Sequence, residues 1–440
     1  MAEAPRLRIS TVDAVRLLRR DPLALLERAA REGDVVRVRV PRLDLYVLNR
    51  PDLVWDVLAT HGGRFTKGPT MQAAKRMLGE GLLTSEGDHH HRQRRLIQPL
   101  FHHERIAALA DPIRAAGERA AERWADGDRI DVRAEMARLT LGIVVTTMFG
   151  TGIDDADAVR IGASMNDVLA QFDRVFSPFL PVTERLPIPA TRRFRRARAV
   201  FDGTIERMIS ERRGRGATGD DLLSLLIRAR DAGSSMTDEQ IRDEAVTIFL
   251  AGHETTANAL AWTWLLLSQN PQTRAWFHDR LDDPTAVEAV LRESLRLYPP
   301  AWAMGRRAIA DHVADGVTIP AGSVVIVSPW LLHRDPRWWP EPAAFDPERW
   351  HGIEPTIDRR AYVPFGAGSR MCIGEGFAEV EATTLLSTIG RVWRFDLDPA
   401  ARVERQPVVT LRPRGLWMRA RARSGVETQE GPAVRPGPPA

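Results

Sequence analysis

Hydrophobic positions recur every three to four residues along most of the chain, from about residue 52 to about residue 335. This period is typical of amphipathic helices joined by short turns. Alternating apolar and polar positions, which indicate strands, are confined to residues 34–40, 43–48, 316–328, 408–412 and 415–418. The pattern predicts a mainly α fold with a minor β part. The first two stretches should pair, the third should form a hairpin, and the last two should form a last small sheet.

No internal repeat or convincing linker interrupts this pattern, so residues 1–423 are expected to form a single domain. A hydrophobic fraction of 44%, with 12 Trp and 14 Phe, supports a sizeable core. Residues 424–440 are rich in glycine and proline, which predicts a disordered tail.

One helix is predicted with clear ends. The run from Thr237 to Gln240 fits a capping box, and Asn270-Pro271 marks the stop. The roughly 30 residues between them would span about 50 Å. Its middle carries Gly252, an acid at Glu254 and an alcohol at Thr255 in an otherwise apolar stretch. Two interpretations remain open: a kink with a back-bonded threonine, or a local opening that admits a ligand beside a proton donor.

Charge and targeting signals limit which functions and cellular locations the protein could have. The formal net charge is +4, and arginine supplies nearly all the positive charge, since Lys67 and Lys75 are the only lysines. Basic runs are interpreted as solvated helix faces, which disfavours nucleic-acid binding. No apolar run is long enough to cross a bilayer, and the N-terminus lacks the apolar core of a signal peptide. We expect a cytoplasmic protein without a membrane anchor.

The three adjacent histidines at 89–91 suggest a metal site at first sight. On a helix, however, neighbouring side chains point about 100° apart, so three in a row cannot bind one ion. His90 and Arg94 do share a helix face, and together they could bind an anionic group.

Cys372 is the only cysteine, so it cannot form an intramolecular disulfide. It follows glycines at 366 and 368 and precedes Gly374 and a predicted helix. Glycines allow a flat ligand to approach the backbone, and a helix N-terminus lowers the pKa of a thiol. The sequence alone leaves two interpretations open: a thiolate that binds a metal, or a buried free cysteine that acts as a small hydrophobe.

A cluster of ion pairs is predicted on the N-terminal side of Cys372. Glu293 and Arg296 lie three residues apart, on one face of a predicted helix. Arg349 lies in an irregular segment lined by aromatic residues, and its planar guanidinium could complete a unit with this pair.

Together these motifs resemble the cytochrome P-450 family of haem-thiolate monooxygenases. The stretch from Phe365 to Gly374 matches the family's haem-binding signature at every fixed position, and the stretch from Ala251 to Thr256 matches its oxygen-activation motif. The helical ion pair and the arginine-bearing meander follow in the family's order, and the resemblance runs from about residue 20 to residue 420. It implies a single triangular-prism domain, with haem b between the long central helix and the cysteine loop and helix.

The resemblance also implies residue roles. Cys372 would be the axial ligand of the haem iron. The residues expected to contact the haem or its propionates are His90, Arg94, Ala251, Arg306, Phe365, Gly366, Arg370 and Gly374. Arg307, adjacent to Arg306, leaves that assignment open. Thr255 would donate a hydrogen bond during oxygen activation, Glu254 would relay protons, and Glu293, Arg296 and Arg349 would be structural.

The implied reaction uses O2, two protons and two electrons, and it inserts oxygen into a C–H or C=C bond. Too few residues follow Cys372 for a flavin domain. The electrons would come ultimately from NAD(P)H through a separate ferredoxin or flavodoxin with its reductase. Arg92 and Arg95 are candidate docking charges for an acidic partner. The protein itself is expected to be a monomer.

The expected substrate is an apolar small molecule, because the pocket positions implied by the family are mostly apolar: Phe172, Phe176, Phe179, Ile248, Phe249, Trp302, Met304 and Val409. A terpenoid or similar polycyclic compound is the leading hypothesis. A fatty acid is the alternative, with its carboxylate bound by Lys75, Arg76 or Arg174. A haem-binding sensor is a third possibility, disfavoured by the presence of Glu254 and Thr255.

His253 occupies a variable position of the oxygen-activation motif. Two interpretations of it stay open: a role in proton delivery, or a histidine that simply lies on the helix face.

Overall fold

The computed structural model describes residues 3–41, 43–150, 188–219, 221–231, 234–351 and 358–423, together with positions 164 and 186. The predicted pocket residues Phe172, Phe176 and Phe179, the alternative carboxylate ligand Arg174 and the tail 424–440 lie outside the described residues, as does the side chain of Arg76.

Helices make up most of the described chain, which confirms the mainly α prediction. In chain order they are α1 (Thr11–Arg20), α2 (Pro22–Ala30), α3 (Pro51–Trp55), α4 (Pro69–Leu78), α5 (Gly87–Ile97), α6 (His103–Ala107), α7 (Ala110–Ala121), α8 (Val132–Phe149), α9 (Pro189–Gly214), α10 (Leu222–Arg228), α11 (Asp238–Gln269), α12 (Pro271–His278), α13 (Pro284–Leu297), α14 (Pro329–Leu332) and α15 (Glu375–Val392). A single π-helical turn, Asp56–Thr60, follows α3 directly.

The strands are short, and they are β1 (Val35–Val40), β2 (Leu43–Leu48), β3 (Phe65–Lys67), β4 (Arg129–Asp131), β5 (Arg230–Asp231), β6 (Ser234–Ser235), β7 (Met304–Ala308), β8 (His312–Ala314), β9 (Val317–Ile319), β10 (Val324–Val327), β11 (Trp393–Leu397), β12 (Glu404–Pro407), β13 (Leu411–Arg414) and β14 (Trp417–Ala422). The largest sheet has the order β1-β2-β10-β7-β3, with β2 and β10 parallel. The predicted pairing of β1 with β2 is confirmed, in the register that places Val35 opposite Leu48.

Two strand predictions were wrong. Within 316–328, β9 pairs with the preceding β8 and not with β10, which instead joins β2 and β7. The reason is the turn at Asp315 and Gly316, where both residues have positive φ and close a two-residue hairpin. Near the C-terminus, β13 pairs with β12 while β14 pairs with β11 and β4, so there are two separate sheets.

Helix α11 is the centre of the fold. The predicted capping box is present, since Thr237 Oγ1 accepts from Gln240 N at 3.2 Å and Gln240 Oε1 accepts from Thr237 N at 2.9 Å. Most of its later residues are buried, and the helix packs against α8, α13 and α15. Because α15 begins three residues after Cys372, this packing fixes the cysteine segment relative to the middle of α11.

No helix in the described part of the chain combines the length and the apolar character needed to cross a membrane.

Candidate active site

The cysteine loop is shaped by two glycines with positive φ. Gly366 has φ +76° and Gly368 has φ +70°. A Cβ at Gly368 would lie 2.2 Å from the carbonyl oxygen of Leu58 in the π-helical turn, so only glycine fits there. The N–H of Cys372 donates to Phe365 O at 2.9 Å and closes the loop on itself.

Cys372 is exposed, although protein groups surround it on most sides. That burial raises the pKa of the thiol, while a hydrogen bond from the Gly374 backbone and the charge of Arg94 oppose the rise. The hydrogen bond from Gly374 acts in the predicted direction, but desolvation outweighs it and the charge of Arg94, so the pKa is raised overall. An electrophilic metal would be needed to hold the sulfur as a thiolate.

Helix α11 presents an open strip in its middle. Ala251 is exposed and Thr255 is partly exposed, although Leu250 and Thr256 beside them are buried. The helix is continuous through Gly252, and Thr255 Oγ1 donates to Ala251 O at 2.6 Å. The structure therefore shows the back-bonded threonine without a local opening of the backbone.

Glu254 lies on the buried side of the same helix turn, and its Oε1 is 3.7 Å from Arg412 Nη1 in β13. Arg133 in α8 is also near, since the charge of Glu254 partly opposes the burial that lowers the arginine's pKa. Sequence reasoning missed both arginines, because no motif connects them to Glu254. His253 is buried, and its Nδ1 lies 3.1 Å from Phe249 O within the helix.

His90 is buried with its Nε2 atom lacking a hydrogen-bond partner among the described residues, while Nδ1 lies 3.3 Å from Ser85 Oγ. Burial, together with the charges of Lys67 and Arg370, lowers the pKa of His90 to about 4. The imidazole is therefore neutral, and a contact with the Ser369 backbone partly opposes the lowering of its pKa.

Arginines surround this histidine. Arg94 Nη1 donates to Met371 O at 2.8 Å, which ties α5 to the cysteine loop. In β7, Arg306 is buried while Arg307 is exposed, as strand alternation requires. Of the two, Arg306 is therefore the inward-facing residue. Burial lowers its pKa to about 10, and the charge of Arg370 adds to the effect.

Arg370 Nη2 donates to Glu86 Oε2 at 2.6 Å and Nη1 donates to Gly62 O at 3.1 Å, whereas its buried Nε has no partner among the described residues. Lys67, which sequence reasoning did not place here, is buried, and its Nζ donates to Leu82 O and Ser85 O. Desolvation lowers the pKa of Lys67 to about 7. Glu86 also escaped prediction, since nothing in its local sequence marks it.

The predicted pocket residues within the described part of the chain differ in how deeply they are buried and in what they contact. Phe249 is fully buried and packs edge-on against Phe201, with ring centroids 5.7 Å apart. Ile248 and Val409 are partly buried at the margin of the same cluster. Trp302 Nε1 donates to Val408 O at 3.0 Å.

Met304 lies beside the cysteine loop, because its sulfur would be 3.4 Å from a Cβ at Gly366.

The last hairpin, which carries Val409, is fastened to the helices by side chains. Asn258 Nδ2 donates to Thr410 Oγ1 at 3.1 Å, and Trp262 Nε1 donates to Leu411 O at 2.9 Å. Both donors are on α11, so the central helix sets the position of the hairpin turn that carries Val409.

The structure brings Glu293, Arg296 and Arg349 together. Arg296 donates to both carboxylate oxygens of Glu293, at 2.9 and 2.8 Å, and Arg349 Nε donates to Oε1 at 2.9 Å. Trp350 Nε1 and the backbone N–H of Asp346 donate to the same carboxylate. Arg296 also donates to the backbone carbonyls of His333, Pro342 and Ala344, and Arg349 Nη1 donates to that of Pro340.

With this geometry established, comparison with known proteins identifies the family. The cytochrome P450 family profile matches residues 15–417. The chain belongs to the cytochrome P450 family. It is an oxidoreductase, and this family uses haem and O2 and receives electrons from redox partners.

Several relatives are similar over most of their length. Cyclooctatin synthase of Streptomyces melanosporofaciens is 36% identical over 90% of both chains. Cyclooctat-9-en-7-ol 5-monooxygenase of the same organism is 36% identical over 86% of this chain and 85% of its own. Pentalenene oxygenase of Streptomyces avermitilis is 33% identical over 92% of this chain and 94% of its own.

Solved structures confirm the fold. The cytochrome P450DA haem domain superposes with a TM-score of 0.85 at 25% identity, covering 96% of this chain and 98% of that one. CYP175A1 from Thermus thermophillus gives a TM-score of 0.77 at 28% identity, covering 96% of this chain and all of that one.

The residues present fit a haem. Its two propionates need positive charge and hydrogen-bond donors. Lys67, Arg306 and Arg370 lie together here, with Glu86 paired to Arg370 and Glu244 near Lys67. The partnerless atoms His90 Nε2 and Arg370 Nε lie in the same cluster. Cys372, which is exposed, carries the thiol that could bind the haem iron.

A buried acid, Glu381 in α15, was not singled out from the sequence. It is fully buried, and neither carboxylate oxygen has a hydrogen-bond partner among the described residues. Burial raises its pKa to about 8, and neighbouring Thr256 only partly opposes this, since the Thr256 hydroxyl donates to Gly252 O at 3.2 Å. Glu381 is therefore largely protonated at neutral pH.

We predict that Glu293→Gln lowers the free energy of unfolding by about 3–5 kcal/mol, because it removes the charge that two buried arginines share. The control is Glu288→Gln on the same helix, whose pair with Arg292 is well exposed and contributes at most about 1 kcal/mol. Chemical denaturation of both variants measures the difference. Equal losses would contradict the structural role of the network.

We predict that Glu381 makes stability fall as pH rises from about 5 to 8. The folded protein keeps a proton on this carboxyl that the unfolded chain has released, so the free energy of unfolding decreases by up to about 1.4 kcal/mol per pH unit. Glu381→Gln should flatten this slope and stabilise the protein at pH 8. Denaturation curves at several pH values test it, and an unchanged slope would show that the group is ionised.

Proposed function

We propose that the protein is a haem-thiolate monooxygenase that hydroxylates or epoxidises a terpenoid. The observation that carries the substrate class is the similarity, over 85% or more of each chain, to three oxidising enzymes named for cyclooctatin, cyclooctat-9-en-7-ol and pentalenene. These are cyclic, largely hydrocarbon molecules. Residues 1–423 would form one catalytic domain.

In this proposal Cys372 would bind the haem iron, and Phe365, Gly366, Gly374 and Ala251 would contact the macrocycle. The propionate-binding residues would be Lys67, His90, Arg94, Arg306 and Arg370. Haem bound there supplies the redox chemistry that activates O2. The unpaired His90 Nε2 and Arg370 Nε are the atoms that support the propionate assignment best.

Thr255 and Glu254 would deliver protons. The Thr255 hydroxyl now donates to Ala251 O, and rotation about χ1 would free it to donate towards the haem side of α11. Glu254 is loosely paired with Arg412 at 3.7 Å, longer than a hydrogen bond, so its carboxylate can exchange that contact for solvent and carry a proton inward.

Pocket chemistry favours a terpenoid over a fatty acid. The wall residues Ile248, Met304 and Val409 are apolar and partly buried. Lys75, a candidate ligand for a fatty-acid carboxylate, pairs with Glu80 at 2.6 Å. A carboxylate ligand would have to displace that acid, whereas a hydrocarbon needs only the apolar wall.

The function is tested with haem-loaded protein, a ferredoxin with its reductase, and NADPH. Cyclic terpene hydrocarbons should shift the Soret band and yield products one oxygen atom heavier. Thr255→Ala should keep the binding shift but lower product formed per NADPH at least about tenfold, and Thr255→Ser should restore it. Shifts with fatty acids alone would contradict the terpenoid assignment, and tight binding without product from any substrate would favour the sensor.

Electron delivery is proposed to come from NAD(P)H through a ferredoxin or flavodoxin and its reductase, to a monomeric enzyme in the cytoplasm. On α5, Arg95 is exposed, whereas Arg92 is half-buried and donates to Ser235 O at 3.3 Å. Of the two candidate docking charges, Arg95 is therefore the more accessible to a partner.

We expect Arg95→Glu to slow reduction by an acidic carrier about tenfold at low salt without changing the substrate dissociation constant, because a rim charge acts mainly on association. Stopped-flow reduction measures the rate, and Arg19→Glu on α1 is the control with the same change in net charge. The same rate in both variants would exclude docking at Arg95.

A further inference from the structure

A second recess lies near the start of the chain, away from the cysteine loop in sequence. It has a volume of about 470 Å³ and is lined by both α1 and α2 and by the segment before them. The lining residues are Arg8, Ile9, Ser10, Asp13, Arg16, Leu17, Arg20 and Arg28.

Four arginines line this recess against a single acid. None of the four has an ion pair or side-chain hydrogen bond among the described residues. Arginines nearby are paired, for example Arg37 with Asp44 at 2.7 Å and Arg50 with Asp52 at 2.7 Å. The recess is therefore a local excess of unpaired positive charge.

The one acid does not neutralise it. Asp13 Oδ2 accepts a hydrogen bond from Ser10 Oγ at 2.7 Å, and its own N–H donates back to that hydroxyl at 3.0 Å. Asp13 lies in the first turn of α1, where the helix N-terminus stabilises its charge. Asp13 thus belongs to the helix cap, and no carboxylate in the described part of the chain lies within ion-pair distance of Arg16, three residues later.

A solvated helix face does not explain the arrangement. The charge of Arg20 in the last turn of α1 is stabilising without any ligand, because cations stabilise a helix C-terminus. Arg8, however, precedes the helix, Arg16 lies in its middle and Arg28 comes from α2. Like charges that converge from three elements on one concavity repel one another unless an anion is bound.

We propose that this recess binds a phosphate or diphosphate group. Guanidinium groups bind phosphate oxygens bidentately, and four of them line the recess together with Ser10. The proposal does not rest on the oxygenase function. The group could come from a free phosphate ester or from a lipid headgroup, and Val12, 77% exposed on α1, is an apolar side chain suited to the second source.

The first experiment is calorimetric titration of the haem-loaded protein with inorganic pyrophosphate at low ionic strength, where exposed charges are least screened. We expect saturable binding at one site, weakened at least about tenfold in the double variant Arg16→Gln, Arg20→Gln. The matched control is Arg19→Gln, Arg31→Gln, which removes one charge from α1 and one from the residue that follows α2, both outside the recess. All these side chains are exposed, so the fold should be retained.

The second experiment is sedimentation with phosphatidylcholine vesicles, with and without phosphatidylglycerol. Binding to the anionic vesicles alone, reduced by Val12→Ser and lost in Arg16→Gln, Arg20→Gln, assigns the site to lipid headgroups. Pyrophosphate binding without vesicle binding assigns it to soluble phosphates. The proposal is overturned if neither probe binds saturably, or if the control pair loses binding as strongly as the recess pair.

Discussion

The carboxylate of Glu293 is the point at which helix α13 is joined to the irregular segment that carries Arg349 and Trp350. It is fully buried and accepts hydrogen bonds from two guanidiniums, an indole and a backbone N–H. Arg296 and Arg349 in turn bind meander carbonyls that have no strand or helix to satisfy them. An irregular segment is thus ordered by charge-assisted bonds to a rigid helix.

Desolvation dominates the electrostatics of the site. It lowers the pKa of His90 and Lys67 and raises that of Cys372. The charges of Lys67 and Arg370 act in the same direction at His90, whereas the charge of Glu86 opposes the effect at Lys67. Each of these groups is therefore poised for a bound ligand that supplies the missing partner: a carboxylate for the cationic cluster and a metal for the sulfur. Binding a charged cofactor would stabilise the folded protein by the same interactions.

Local sequence patterns predicted the central helix, its cap, the cysteine loop and the acid–arginine pair, because each depends on residues within a few positions of one another. They failed where partners are distant in the chain. Nothing near Glu254 points to Arg412, and nothing near Arg370 points to Glu86 or Lys67. The strand errors differ in kind, since the Asp-Gly turn signal was present in the sequence and was overlooked.

The fastening of the last hairpin has a consequence for how substrate range can change. Asn258, Trp262 and Trp302 each bind the segment that carries Val409, two of them through backbone carbonyls. Bonds to backbone carbonyls do not depend on the side chains at the acceptor positions, so the loop keeps its course when residue 409 is replaced. Selectivity at this margin can therefore evolve by exchange of a single side chain, with the surrounding architecture unchanged.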